Sequence, residues 1–407
     1  MKALIVGSGA REHALAWKLS QSPALDELHA APGNPGIASL GTCHPVRAED
    51  GEGLLWLSRA LGIDLVVVGP EAPLVAGLAD TLRQAGVPVF GPTRAAARIE
   101  GSKAFAKDVL EAAGVPTARR LAVARPPCVV KADGLAAGKG VFVCRTQEEL
   151  DAGLSAAARL GSDFLVEELL EGEEVSLFAI SDGSRTVGLT PAQDFKRIGD
   201  HDTGPNTGGM GAYSPVPGID EPEVEELLES VHRPVLAELA RRGTPFSGLL
   251  YAGLMLTADG PRVLEFNCRF GDPETQSVLP RLDGDLLPLL WGGATGELRA
   301  ETSLHDDAAV TVVVAGAGYP ERSDSGTSIE GVEDAEATGA LVFHAGTALH
   351  DGRLVTSGGR VLAVTATGAD VATARALAYE AVSRISFAGM HYRRDIALSA
   401  AEEHVRS

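Results

Sequence analysis

A chain of 407 residues is longer than one simple core organises, so about two to four domains are expected. A net charge of −20 excludes nucleic acid as a general partner, while a local basic pocket remains free to hold phosphates. The four cysteines (Cys43, Cys128, Cys144, Cys268) have no metal-type pairing and read as reduced cytosolic thiols, and no apolar run reaches the roughly 18 residues of a membrane span.

The first strand, residues 1–6, is too brief for a signal peptide and stops at Gly7. A helix through about Leu19 follows, then strands over 27–31 and 64–68, a helix over 74–85 and a strand at 87–90. This strand–helix alternation predicts a parallel sheet. Gly7-x-Gly9 invites a dinucleotide reading, but the third glycine of that fingerprint falls on Glu12, and the second strand ends in Pro32-Gly33 without an acid for a ribose. What remains is a helix N-terminus behind two glycines, with Arg11 beside it, which suits a single phosphate. The alternative is a tight turn with a surface arginine.

Residues 93–114 read as helical, broken at Gly101-Ser102-Lys103 with Ser102 as an N-cap. Then Val129-Val130-Lys131 runs into Ala132-Asp133-Gly134-Leu135-Ala136-Ala137-Gly138-Lys139-Gly140 and returns through Val141-Phe142-Val143. Small residues let backbone N–H groups close over an anion, and two ammonium groups add charge, so a phosphate-covering loop competes here with a plain glycine hairpin. The chain has seven lysines against twenty-eight arginines and none after Lys196, yet Lys103, Lys131 and Lys139 fall in or near this loop. Compact ammonium groups contact phosphates as point charges, which favours a nucleotide site.

A polar helix over 146–160 leads to the strand Phe164-Leu165-Val166 and an acidic turn, 167–174. Either a solvated face or a nucleotide hinge fits that turn. The segment 192–213 concentrates Gly, Thr, Asn and Asp between Lys, Arg, Met and Tyr, as an ordered binding loop does. An amphipathic helix over 221–242 precedes a hairpin whose strands, 249–256 and 261–266, flank the turn 257–260. Glu265, Asn267 and Arg269 then point to one face, where a carboxylate and an amide oxygen suit Mg²⁺ and Arg269 suits an anion; the alternative is an ion pair on a sheet face. From residue 308 onward, strands at 310–314, 341–343, 354–355 and 360–365 and a helix over 369–384 read mainly as an α+β packing module behind a linker at 304–307.

The order Lys103, Lys131, glycine loop with Lys139, acidic hinge and Glu265-x-Asn267-x-Arg269 resembles the ATP-grasp ligases. More narrowly, Gly7-x-Gly9-x-Arg11-Glu12-His13-Ala14, Gly69-Pro70-Glu71-Ala72-Pro73-Leu74, Gly101-Ser102-Lys103-Ala104-Phe105, the segments 131–140 and 202–215, and 264–275 resemble the glycinamide ribonucleotide synthetase family from residue 1 to about 396. The resemblance implies an α/β fold: an N-terminal Rossmann-like parallel sheet for substrate (1–100), an ATP-grasp domain (101–305, lid subdomain about 117–185) and a C-terminal α+β domain (306–407). It implies that ATP, glycine and 5-phospho-β-ribosylamine give glycinamide ribonucleotide, ADP and phosphate in purine biosynthesis. ATP would meet Lys103, Lys131, Gly138, Lys139 and Gly140, with adenine at the hinge 167–170 (Glu167, Leu170) and ribose at Glu174. Mg²⁺ or Mn²⁺ would take Glu265 and Asn267. The sugar amine would meet Gly9, Arg11, Glu12, Glu71, Asp194 and the loop Asn206-Thr207-Gly208-Gly209-Met210. Arg269, Lys139 and Asp272 would serve the reaction, with Arg269 and Asp272 near glycine.

The chemistry suits such a site. A carboxylate is a poor acyl donor at neutral pH, so its oxygen must first become a leaving group; phosphorylation does this, and a closing lid keeps water from the acyl phosphate. The expected state is a cytoplasmic monomer, with a transient contact to the preceding pathway enzyme allowed, and no nucleic acid or membrane partner. Three departures from the family pattern stand out. Few residues separate Pro116 from Val129, Phe195 stands where relatives carry His, and the stretch Ala252-Gly253-Leu254-Met255 offers no further acidic metal ligand. Two other function classes compete: an oxidoreductase with an N-terminal nicotinamide site, and a non-catalytic nucleotide sensor.

Overall fold

Short, largely apolar runs build the first sheet, the two central ones rich in β-branched residues and ending at glycine. In the computed structural model, which describes residues 1–135, 140–160, 163–299 and 301–406, these runs are β1 (Lys2–Gly7), β2 (Glu27–Pro32), β3 (Thr42–Cys43), β4 (Leu65–Val68) and β5 (Val89–Phe90). They lie parallel in the order β3-β2-β1-β4-β5. The order reverses between β1 and β4, and their carboxyl ends, at Gly7 and Gly69, open the kind of crevice where such sheets bind ligands. The connecting helices are α1 (Ala10–Leu19), α2 (Pro35–Ala38), α3 (Gly51–Leu61), α4 (Glu71–Ala76) and α5 (Leu78–Gln84). The helix expected over 74–85 is thus two, divided at Gly77, whose φ of 95° caps α4 in the left-handed region.

Helices α6 (Arg94–Gly101) and α7 (Lys103–Ala113) meet at Ser102, whose Oγ accepts from Phe105 N at 3.2 Å, as the cap predicted there should. A small unit follows, in the stretch expected to form the lid: β6 (Cys128–Ala132), β7 (Val141–Cys144), α8 (Gln147–Arg159) and β8 (Phe164–Glu168), with sheet order β7-β6-β8 and all pairings antiparallel. No helix intervenes between Ala113 and Cys128, in keeping with the short segment there. Its own small core joins Cys128, Val130, Cys144, Leu150 and Ala157.

Next come β9 (Glu173–Asp182), β10 (Thr186–Gly188), β11 (Gln193–Asp194), β12 (Arg197–Gly199), β13 (Thr203–Asn206) and β14 (Gly211–Ser214). The helix expected over 221–242 is α9 (Glu221–Leu227) and α10 (Arg233–Arg241), joined by a π-helical turn over Leu228–His232. Pro234 accounts for that turn, because its ring has no N–H to donate and crowds the carbonyl four residues earlier. The predicted hairpin is β15 (Ser247–Thr257) and β16 (Gly260–Asn267), in a sheet ordered β10-β9-β15-β16. After α11 (Glu274–Val278), α12 (Leu286–Thr295) lies between β5 and β9 and buries Leu286, Leu287, Leu289 and Leu290, each contributing roughly 1.5–3 kcal/mol of apolar burial.

The remaining elements are β17 (Ala308–Ala315), β18 (Asp324–Ser328), α13 (Val332–Glu336), β19 (Leu341–His344), β20 (Thr347–His350), β21 (Arg353–Gly358), β22 (Arg360–Gly368), α14 (Val371–Val382) and α15 (Leu398–Arg406). Two sheets result: β18-β21-β20, and a larger one ordered β11-β14-β17-β22-β19. Strands β11 and β14 carry the ends of the 192–213 segment, so that segment is woven into the C-terminal sheet and held against the rest of the molecule.

Candidate functional site

The modules meet around a cavity of about 350 Å³. Its floor is the β15–β16 hairpin, whose register sets Glu265 opposite Gly253 and Asn267 opposite Tyr251. Two residues apart on one strand, Glu265 and Asn267 both line the cavity, as the alternation predicts. Arg269 lies past the end of β16, yet its Nη2 donates to Asn267 Oδ1 at 3.3 Å. Burial alone would raise the Glu265 carboxyl; Lys196, Lys131, Lys103 and Arg269 outweigh it and hold the group below the ordinary range.

Arg269 is clamped from two sides. Its Nε donates to Glu71 Oε2 at 3.1 Å, and its Nη2 lies 3.2 Å from Glu100 Oε1. Burial pulls its pKa down, but Glu100, Glu71 and Glu274 more than reverse this, so the guanidinium stays charged. The Glu100 carboxyl is itself raised by burial despite Arg269, and Cys268 N donates to its Oε2 at 2.7 Å.

Lysines come from α7 and β6. Lys131 Nζ donates to Leu264 O at 2.9 Å and lies 2.9 Å from Glu167 Oε2, while Lys107 Nζ lies 2.7 Å from Glu167 Oε1. Placed by the resemblance at the adenine hinge, Glu167 turns its carboxylate inward between these lysines; burial would raise its pKa, but Lys131 and Lys107 bring it below the usual range. Lys103 Nζ donates to Gly134 O at 2.9 Å, and Lys103 N to Asp133 Oδ1 at 2.6 Å, so the start of α7 is tied to the start of the glycine loop. Burial lowers the Lys103 pKa against the pull of Glu265 and Asp133. Gly140 lines the cavity. Gly138 and Lys139 lie outside the described residues. Leu170 and Glu174 fall behind the lining, where the Glu174 carboxylate pairs with Lys196.

An acidic corner faces these cations. Asp194, Glu265 and Glu274 all line the cavity, and Glu274 Oε1 accepts from Tyr251 OH at 2.8 Å. Burial, then Glu274 and Glu265, push the Asp194 carboxyl well above its ordinary range.

At the N-terminal side, Arg11 lines the cavity and donates from Nη1 to Phe270 O at 3.2 Å and from Nε to Glu12 Oε1 at 2.5 Å. Glu12 is 2% exposed and its Oε2 accepts from Gly9 N at 2.5 Å. A Cβ on Gly7 would lie 2.7 Å from Glu12 Cδ, so this side chain fills the space that a third glycine leaves open in a dinucleotide fold. Of the 206–210 loop, Thr207 and Gly208 reach the cavity; Asn206 faces a cleft beside the lid, Gly209 backs onto Pro273, and Met210 is buried in the core.

The C-terminal module, read from sequence mainly as packing, also supplies the site. Arg360 lines the cavity, pairs with Asp272 at 3.2 Å, and donates to the carbonyls of Gly208 at 2.6 Å and Asp272 at 2.7 Å. Tyr319 OH accepts from Gly208 N at 3.0 Å. Arg360, Glu100, Lys107 and Glu274 were not singled out from sequence. Glu274 stands in a quoted motif and Glu100 directly precedes Gly101-Ser102-Lys103, but nothing local marks Arg360, nearly a hundred residues downstream of its partner.

The buried carboxylate–amide pair, the flanking lysines and the strands β6 and β7 stand together at this cavity, and comparisons with known proteins show the family to which they belong. The family models of phosphoribosylglycinamide synthetase match in order: the N domain over residues 1–100, the ATP-grasp (A) domain over 101–275 and the C domain over 309–399. The phosphoribosylamine–glycine ligase of Streptomyces coelicolor is 54% identical over 418 residues, covering 98% of this chain and 100% of that protein. That of Agrobacterium fabrum is 49% identical, covering 98% and 99%. The crystal structure of the Thermotoga maritima phosphoribosylamine–glycine ligase superposes with a TM-score of 0.85 at 35% identity, covering 98% of this chain and 100% of that one. The chain therefore belongs to the phosphoribosylamine–glycine ligases, ATP-grasp enzymes of purine biosynthesis.

Proposed function

We propose that the reaction runs through glycyl phosphate and that the cavity described above holds all three substrates. The observation that carries this is the joining, in one cavity, of Lys103, Lys131, Glu265, Asn267 and Arg269 with residues from the first sheet and the C-terminal module. A glycine carboxylate oxygen attacks the γ-phosphorus of ATP, and the bond to the ADP oxygen breaks. The amine of 5-phospho-β-ribosylamine then attacks the acyl carbon and expels phosphate, forming the amide. Lys103 and Lys131 meet ATP phosphates as point charges, and Lys139 joins them from the loop. Arg269, kept charged and oriented by Glu71 and Glu100, receives the glycine carboxylate, with Asp272 beside it.

Glu265 and Asn267 offer two hard oxygens, one of them anionic, which fits a Mg²⁺ or Mn²⁺ completed by phosphate and water. Among the described residues no cluster of three His, Cys, Asp or Glu side chains forms a cage for a metal alone. When bound there, such an ion would offset charge on the phosphoryl oxygens. Arg11, Glu71, Asp194 and the 206–210 loop bound the space for the sugar amine, with Gly9 and Glu12 shaping its far wall. Glu167 lines the cavity on the side given to the nucleoside, and Leu170 and Glu174, outside that lining, are assigned to adenine and ribose on the resemblance. No helix among the described residues is long and apolar enough to cross a membrane, and the proposed setting is a cytoplasmic monomer.

The test is ADP release with freshly made phosphoribosylamine. ADP should appear only when glycine and the amine are both present. Reduction of a nicotinamide cofactor without it would favour a dehydrogenase, and ATP binding without turnover a sensor.

A further inference from the structure

Asp194 and Lys196 line the cavity, and Phe195 between them does not. Alternate side chains of an extended segment point to opposite sides, so Phe195 packs against the C-terminal core instead. Its backbone is fixed to β14: Phe195 N donates to Gly211 O at 3.0 Å, and Met210 N donates to Phe195 O at 2.7 Å. Its ring meets a cation. The guanidinium carbon of Arg393 stands 4.9 Å from the ring centre, within the range of a cation–π contact.

Arg393 lies between α14 and α15, is 1% exposed and does not line the cavity. Its Nε and Nη2 donate to the Asp395 carboxylate at 2.8 and 2.7 Å. Its Nη1 donates to Arg197 O at 3.2 Å and to Asp202 Oδ1 at 2.7 Å, at the two ends of the turn that β12 leads into. Neighbouring groups grip the same turn: His201 N donates to Asp395 Oδ2 and Arg394 N to Asp200 Oδ1, each at 2.7 Å. His201 and Asp202 have φ of 55° and 53°, a backbone region uncommon outside glycine, so these contacts hold a conformation the chain would not favour alone. Burying a charge is costly, and packing alone would be served by an apolar side chain of similar volume. What the guanidinium adds is direction. Its planar fork fixes the ribbon and Asp395 at set angles while its face meets Phe195.

We propose that Arg393 is a positioning residue for the ligase reaction: through Phe195 and the β12–β13 ribbon it fixes the segment that presents Asp194 and Lys196 to the cavity. This rests on the reading above that places Asp194 beside the sugar amine. The test uses the full chain with Arg393→Met, Arg393→Lys and Phe195→Leu. Phe195→Leu keeps an apolar side chain at a half-buried position, so it decides the matter if Arg393→Met fails to fold. The KM for phosphoribosylamine should rise about tenfold in Arg393→Met and about threefold in Phe195→Leu, with the KM for ATP within about twofold of wild type, because the lysines given to ATP stand on α7 and β6. Arg393→Lys, which keeps a charge at the ring, should show a smaller rise than Arg393→Met. A wild-type amine KM in Phe195→Leu, an equal rise for ATP and the amine, or a lowered denaturation midpoint with every KM unchanged would overturn the proposal. Wild-type enzyme without amine-dependent ADP release would instead defeat the ligase reading itself, a separate result.

Discussion

Replacing Glu167 by Gln removes one charge from a buried triad and tests how Lys107 and Lys131 are held. The three side chains are 3% (Glu167), 5% (Lys107) and 11% (Lys131) exposed, with contacts of 2.7 and 2.9 Å. Losing one partner of a buried ion pair costs about 3–5 kcal/mol, because the other charge is left without compensation. Here the loss is moderated. Lys107 Nζ still donates to Thr117 Oγ1 at 2.8 Å and Ala118 O at 2.5 Å, and Lys131 still has Leu264 O. A cost near the low end, about 3 kcal/mol, is expected for the variant. The denaturation midpoint should fall, and the KM for ATP should rise about tenfold relative to that for glycine, since Lys131 loses the carboxylate that orients it. An unchanged midpoint would refute the buried triad. A lowered midpoint with ordinary ATP kinetics would refute the role given to Lys131.

Three more outcomes are expected. Glu265→Gln should abolish turnover at ordinary Mg²⁺ and regain part of it at high metal concentration, since Mg²⁺ leans on one or two carboxylates; full activity with only a lower midpoint would make Glu265 a structural ion-pair partner. Asp133→Ala should cost about 1 kcal/mol and weaken ATP use, because Asp133 Oδ1 accepts from the N–H groups of Lys103 and Gly134 at 2.6 and 3.0 Å; a variant with wild-type midpoint and ATP KM would argue against that tie. Burial lowers His13 to about 3 and His344 and His232 to about 4, from 6.5. The unfolded chain then binds more protons below pH 6.5, so stability present above that value is lost as pH falls toward 4, by about 2 kcal/mol per histidine at pH 5. A midpoint unchanged between pH 7 and pH 5 would contradict neutral burial of these rings.

Much of this site was legible because its signals are local. Ser102 as a cap, the strands around the glycine loop, and Glu265 and Asn267 on one face follow from spacing alone, and the structure places them accordingly. The breaks at Gly77 and Pro234 were missed, because a single residue interrupts an otherwise regular apolar period there. The acidic turn 167–174 left a solvated face and a hinge both open, and the partners of the Glu167 carboxylate, Lys107 and Lys131, come from other elements that no local window contains. Arg360 shows the limit most plainly. Its site is made when β14 joins the C-terminal sheet, a long-range pairing that no window of sequence contains.

The central claim is activation of glycine as its acyl phosphate, and isotope transfer tests it most directly. With glycine labelled with ¹⁸O in its carboxylate, phosphate released alongside ADP should carry one labelled oxygen, taken when the amine displaces it from the acyl carbon. Unlabelled phosphate with all label kept in product and unreacted glycine, or AMP and pyrophosphate as the nucleotide products, would contradict it.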